Sequence, residues 1–242
     1  MDYLIVFTAL LPVMILLYYI YRKDSLCPEP TGQMVKAFLL GAVSAPLSLC
    51  ISLPLEALGF FTDDVYTVAD SVRCAFWGAA IPEEAAKLLI LWLLLRRNRY
   101  FDENMDGIVY AVCVSLGFAA VENVEYLFSN YDSFLAVGFS RAIFSVPAHF
   151  CFGIIMGYYY SLAVFSPASS LRNRLSVYLA PVLAHGLFDS VLFISTVAPS
   201  IGLLLLILFL YLCHKLWKFS SSRIREHLQR DQEGREKEGD VI

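Results

Sequence analysis

Nine ionisable side chains stand inside apolar runs long enough to cross a bilayer, and this contradiction restricts the folds open to the chain. Glu83, Glu84, Lys87, Glu122, Glu125, Arg141, His149, His185 and Asp189 all lie within such runs. A charge at the centre of a membrane helix costs about 2.5–3.5 kcal/mol on insertion scales. Facing lipid, the seven acidic or basic members would together cost roughly 20 kcal/mol. These groups must meet one another around a wet interior, which points to chemistry or transport.

Composition agrees with a membrane solvent. Hydrophobic residues make up 58% and charged residues 17%, against about 45–50% and 25% in soluble domains. The apolar runs predict spans at 3–21, 34–55, 65–95, 107–128, 134–165, 176–197 and 201–219. Each is close to or longer than the roughly 20 residues that a crossing helix needs. The third is too long for one straight helix, and Pro82 is placed to divide it. The expectation is an all-α, polytopic membrane helix bundle of seven segments, or eight if that run breaks. It occupies 1–219, and a charged tail, 220–242, is expected to be solvated and flexible. Asp2 in place of a basic leader, with no small-residue cleavage site, makes the first run a span rather than a signal peptide.

Loop charge supplies the orientation. Arg22, Lys23 and Lys36 flank the first connection, Arg96, Arg97 and Arg99 the third, and Arg172 and Arg174 the fifth. Lys215, Lys218, Arg223 and Arg225 follow the last span, whereas the second connection is acidic at Asp63 and Asp64. Basic and non-basic connections alternate, so the positive-inside rule puts the amino terminus outside and the tail in the cytoplasm. Net charge is −4, with no basic patch suited to nucleic acid. The six cysteines form no CxxC pair, so neither a disulfide framework nor a thiolate metal site is expected.

In this topology Glu83, Glu122, His149, His185 and Asp189 lie roughly 14–24 Å from the inner surface, counted at 1.5 Å per residue. Four spans therefore deliver polar groups to one layer. Lys87 is i,i+4 from Glu83 and i,i+3 from Glu84, within reach of either carboxylate. Adjacent buried glutamates repel, and one protonated beside one ionised carboxyl suits general acid and base work on water. Glu122 carries an amide neighbour, Asn123, and ranks above Glu125, which reads as surface-facing. His185 and Asp189 are i,i+4, so the carboxylate can orient the imidazole. Arg141 is read as a structural partner for a glutamate. Pro82, Pro147 and Pro181 stand beside these groups and are expected to open the helices around a cavity. Gly153 and Gly157 read as a helix-packing pair, and Tyr158 to Tyr160 as an interface belt.

Four motifs occur in order: E-E-x-x-K from Glu83 to Lys87, F-x-x-x-E-N-x-x-Y from Phe118 to Tyr126, R-(x)7-H from Arg141 to His149, and H-x-x-x-D from His185 to Asp189. With Asp106-Gly107 ahead of the fourth span, this set resembles the PrsW family of intramembrane proteases. That family is related to the CAAX prenyl endopeptidases and bacteriocin-processing proteins. Glu122 and Asp189 replace the histidine and asparagine usual in the wider group, which favours the PrsW branch.

The resemblance implies a glutamic-type endopeptidase without a required metal. Its substrate would be a single-span membrane protein such as an anti-sigma factor, receiving its first cut in a bacterial cell membrane. It also implies roles: Glu83 or Glu84 as the base, Lys87 setting their charge, Glu122 and His149 completing the water site. His185 would donate to the oxyanion, with Asp189 orienting it.

Competing readings differ in chemistry. No H-E-x-x-H or G-x-G-D motif is present, and a rhomboid-like serine site around Ser140 leaves both glutamates unexplained. Glu, His, His and Asp at one depth are legitimate zinc ligands, so a metal-dependent hydrolase stays open. A transporter or sensor could use the same buried set, although no internal repeat supports transport.

Overall fold

The computed structural model describes residues 1–24, 27–166 and 170–239. Every regular element among them is helical, and six helices are long and apolar enough to cross a membrane. The helices are α1 (Asp2–Lys23), α2 (Thr31–Ala57), α3 (Val68–Arg73), α4 (Ile81–Leu95) and α5 (Asn104–Ser129). They continue with α6 (Phe134–Ile143), α7 (Ser145–Phe165), α8 (Leu171–Val197) and α9 (Gly202–Gly239).

The predicted third span is one helical path from Val68 to Leu95, but Cys74–Ala80 is π-helical and separates α3 from α4. The break thus falls ahead of Pro82 rather than at it. Proline offers no N–H, and its ring crowds the carbonyl four residues earlier, so the preceding turn widens. The predicted fifth span is likewise divided at Phe144 into α6 and α7, and Pro147 stands in the first turn of α7, where a missing N–H is tolerated. Pro181 lies inside an unbroken α8. Two of the three prolines therefore coincide with departures from α geometry.

α5 is the axle of the bundle. It is buried along most of its length, whereas α1 and α2 turn most of their surface outward, as lipid-facing helices do. Close approach is built from glycine. A Cβ on Gly117 would stand 2.0 Å from Phe38 O on α2, and one on Gly157 would stand 2.2 Å from Gly107 O on α5. The pair read as helix packing, Gly153 and Gly157, does seat α7 on α5.

The tail departs from expectation. It continues α9 as helix to Gly239, and Ser220, Ile224, His227 and Asp231 form a buried stripe at helical spacing. Asp231 caps α5, accepting from Asn104 N at 2.9 Å and Met105 N at 2.8 Å, while Arg235 pairs with Glu103. Complementary carboxylates at a helix start, together with a buried stripe, supply the order that composition alone does not reveal. Tyr158, read as an interface residue, is buried instead and stacks on His227 at 4.6 Å.

Candidate active site

The turn that opens α4 presents Glu83 and Glu84 side by side in opposite environments. Glu84 is wholly buried, and its Oε1 accepts from Lys87 Nζ at 2.8 Å and lies 2.9 Å from His185 Nδ1. The Glu83 side chain is 15% exposed and lies 3.3 Å from Lys87 Nζ. Tyr178 of α8 donates to Ile81 O at 2.9 Å, tying this turn to α8.

Lys87 is the hub. Besides both glutamates, its ammonium lies 3.3 Å from His149 Nδ1 and 4.0 Å above the Phe118 ring. The other nitrogen of His149, Nε2, lies 2.8 Å from Glu122 Oε2. Arg141 approaches the same oxygen, with Nη2 at 3.1 Å in an ion-pair contact whose angle falls short of a hydrogen bond. Its Nε donates to Asn123 Oδ1 at 2.5 Å, and Asn123 Nδ2 donates to Ala9 O on α1 at 3.1 Å. Asn123 thus anchors Arg141 and does not face the carboxylates.

His185 links the two halves. Nε2 stands 3.1 Å from Asp189 Oδ2 and 3.9 Å from Glu83 Oε2. Its Nδ1 partner is Glu84, so the group that orients the ring from behind is Glu84, while Asp189 shares the forward nitrogen with Glu83. Residues from α4, α5, α6, α7 and α8 therefore form one connected network, as the common depth required. Glu125 is exposed and outside it.

The Glu83, Glu122 and Asp189 side chains are 15, 20 and 17% exposed. The exposed part of the cluster, its open side, is thus made by three carboxylates, while its cationic and imidazole groups are buried.

Several participants carried little sequence signal. Phe152 stacks on His185 at 4.7 Å with an 18° interplanar angle, and Ser115 Oγ donates to His149 O at 2.6 Å. Both lie one or two turns from a polar residue on ordinary apolar faces, where a core position and a supporting one look alike. Phe118 was legible only as a motif position. Gly186, next to His185, lies against Phe76 of the π-helix, where a Cβ would come within 2.4 Å of the ring.

Comparison with known proteins places this arrangement in context. The family model described as PrsW family intramembrane metalloprotease matches residues 29–216. "Protease PrsW" of Clostridioides difficile (strain 630) is 33% identical over 223 residues, covering 91% of this chain and 90% of that protein. The protein of the same name from Oceanobacillus iheyensis is 34% identical over 75% of this chain and 79% of its own length. That of Bacillus subtilis (strain 168) is 32% identical over 78% of this chain and 82% of its own. No solved structure matches the chain.

The family description names a metal. Among the described residues, no three His, Cys, Asp or Glu side chains are grouped to hold a metal ion. The central position is taken by the Lys87 ammonium, 2.8–3.3 Å from Glu84, Glu83 and His149. A dication at that position would face an ammonium, so the residues as arranged do not fit a metal there.

Proposed function

This chain belongs to the PrsW family of intramembrane proteases, and from that premise we propose that Glu83 activates water for peptide-bond hydrolysis without a metal. The observation that carries the reading is the contrast between neighbours: Glu84 is sealed against Lys87 and His185, whereas Glu83 reaches the open side. A base must touch water, and a wholly buried, doubly bonded carboxylate is better suited to holding its partners in place.

In the proposed reaction Glu83 removes a proton from water as the oxygen attacks the scissile carbonyl carbon. The negative charge moves to the carbonyl oxygen, where His185 Nε2–H donates to it from a ring fixed by Glu84. The proton held by Glu83 then passes to the leaving amide nitrogen as the C–N bond breaks. Glu122, held by Arg141 and bridged through His149 to Lys87, orients the water from the other side. Asp189 fixes His185 Nε2 until substrate displaces it.

The proposed substrate is a single-span membrane protein, an anti-sigma factor receiving its first cut. The proposed setting is a bacterial cell membrane with the amino terminus outside and α9 ending in the cytoplasm. Loop charge supports this orientation. The gathering of Asp24, Glu29, Asp106 and Asp231 at one end of the bundle, with Tyr131 beside Asp2 at the other, supports the segregation of the connections to two ends that this topology needs.

A metal-dependent reading draws support from the family description and from Glu84 Oε2, which is buried without a hydrogen-bond partner. Cleavage of a single-span anti-sigma reporter by purified protein in lipid separates the two. Chelator-resistant cleavage that falls by about 10²–10⁴-fold in Glu83→Gln is expected, the usual worth of a general base. Loss of wild-type cleavage on chelation, restored by zinc, would transfer the assignment to a metalloenzyme.

A further inference from the structure

On the arginine-rich side of the bundle, α4, the end of α7 and the start of α8 enclose a cleft of about 800 Å³. Its walls are Leu88, Leu89, Trp92, Val164 and Tyr178, and Arg174 lines it. Trp92 is itself covered by Arg96, whose guanidinium lies 4.8 Å from the indole centroid. The cleft is thus apolar within, with Arg174 of α8 in its lining and Arg96, which follows α4, over its Trp92 wall. Both arginines are exposed.

We propose that this cleft is a binding site for an anionic glycerophospholipid of the inner leaflet, with an acyl chain along the apolar walls and its phosphate between Arg96 and Arg174. The assignment rests on the topology proposed above, which puts these arginines at the cytoplasmic face. An apolar cleft that opens to a bilayer is filled by what the bilayer supplies, and charge decides which lipid stays. Planar guanidinium groups match a phosphate diester, whereas a neutral headgroup adds a cation that arginine repels. The Trp92 indole, one helical turn from Arg96, suits the depth at which a glycerol backbone meets water.

The location gives the site a bearing on catalysis. Tyr178 forms part of the cleft wall, and its hydroxyl holds Ile81 O, immediately before Pro82, Glu83 and Glu84. A chain seated against Tyr178 therefore packs on the residue that fixes the glutamate-bearing turn.

The test is lipid retention by the full-length protein after extraction from vesicles of equal phosphatidylglycerol and phosphatidylcholine, read by native mass spectrometry. One phosphatidylglycerol is expected to remain bound in preference to phosphatidylcholine. Each arginine near an anionic lipid is worth about fivefold, so Arg96→Gln/Arg174→Gln should weaken retention by about 25-fold. Val164→Trp, which fills the cleft and leaves both arginines, should lower retention as well. Equal retention of both lipids, or phosphatidylglycerol binding unchanged in both variants, would overturn the proposal. Displacement of bound lipid by a hydrophobic helical peptide, independent of the arginines, would assign the cleft to a protein helix instead.

Discussion

Two adjacent glutamates illustrate how little a residue's name says once it is buried. Lys87 keeps Glu84 if Glu83 becomes an amide, so Glu83→Gln should leave thermal stability close to wild type while abolishing cleavage. Glu84→Gln is a different experiment. It takes from Lys87 its shortest ion pair, 2.8 Å, and leaves an ammonium short of compensation in a sealed position. A loss of about 3–5 kcal/mol is expected, visible as a lower unfolding midpoint in detergent. Equal midpoints for the two variants would refute the division of roles.

Asp24, outside the bilayer at the end of α1, gives a test by pH. It is buried and accepts from Glu29 N at 3.0 Å. Burial raises its carboxyl from 3.8 to about 6, and neighbouring Glu103 and Asp231 push the same way. The folded form then binds the proton more tightly than the unfolded chain. Its contribution is therefore most favourable at low pH and is lost as pH rises through about 6. Asp24→Asn keeps an acceptor for Glu29 N–H and removes the titration. The melting temperature of the variant should gain on wild type across that interval; a constant difference would count against a shifted Asp24.

At the scale of elements, the unusual device is the π-helical turn ahead of the glutamates. It sets the rotation of α4 and, through Phe76, packs against Gly186 beside His185, so one contact spans the two helices that hold the Glu84–His185 bond. Gly186→Ala forces a methyl into the Phe76 ring. Overpacking of this kind costs about 1–3 kcal/mol and should shift His185 away from Glu84. Combining it with Phe76→Leu should restore both stability and cleavage. If Gly186→Ala is silent in thermal melts and in the reporter assay, the contact does not position the site.

The sequence displayed the elements of this region unevenly. Run length and apolar content pick out the six helices long enough to cross a membrane, yet they put the break of the third run at Pro82 rather than in the π turn before it and show no division at Phe144. Both depend on how a proline ring meets the turn before it rather than on hydropathy. The tail differs from its composition for a related reason: its charges look solvated in the sequence, whereas Asp231 caps α5 and Arg235 pairs with Glu103.

For the whole molecule, the proposed orientation is open to direct labelling. Cys27 is exposed in the first connection, and Asp132 is exposed in the fourth. A membrane-impermeant maleimide applied to intact cells should label Asp132→Cys and reach Cys27 only after permeabilisation. The opposite pattern would invert the topology and, with it, the leaflet proposed for the lipid site.

What the sequence determined by itself was the all-α membrane class, the order of spans and the identity of the polar layer. These follow from quantities that add along the chain: apolar length sets crossing, and the cost of charge in lipid forces buried ionisable groups together. The tertiary structure alone decided the pairings. That Glu84 rather than Asp189 backs His185, that Lys87 reaches His149, and that Glu83 faces the open side all depend on helix rotation and tilt. Rotation is fixed by contacts such as Gly117 on Phe38 and Gly157 on Gly107, between residues far apart in the chain, and no run of hydropathy encodes it.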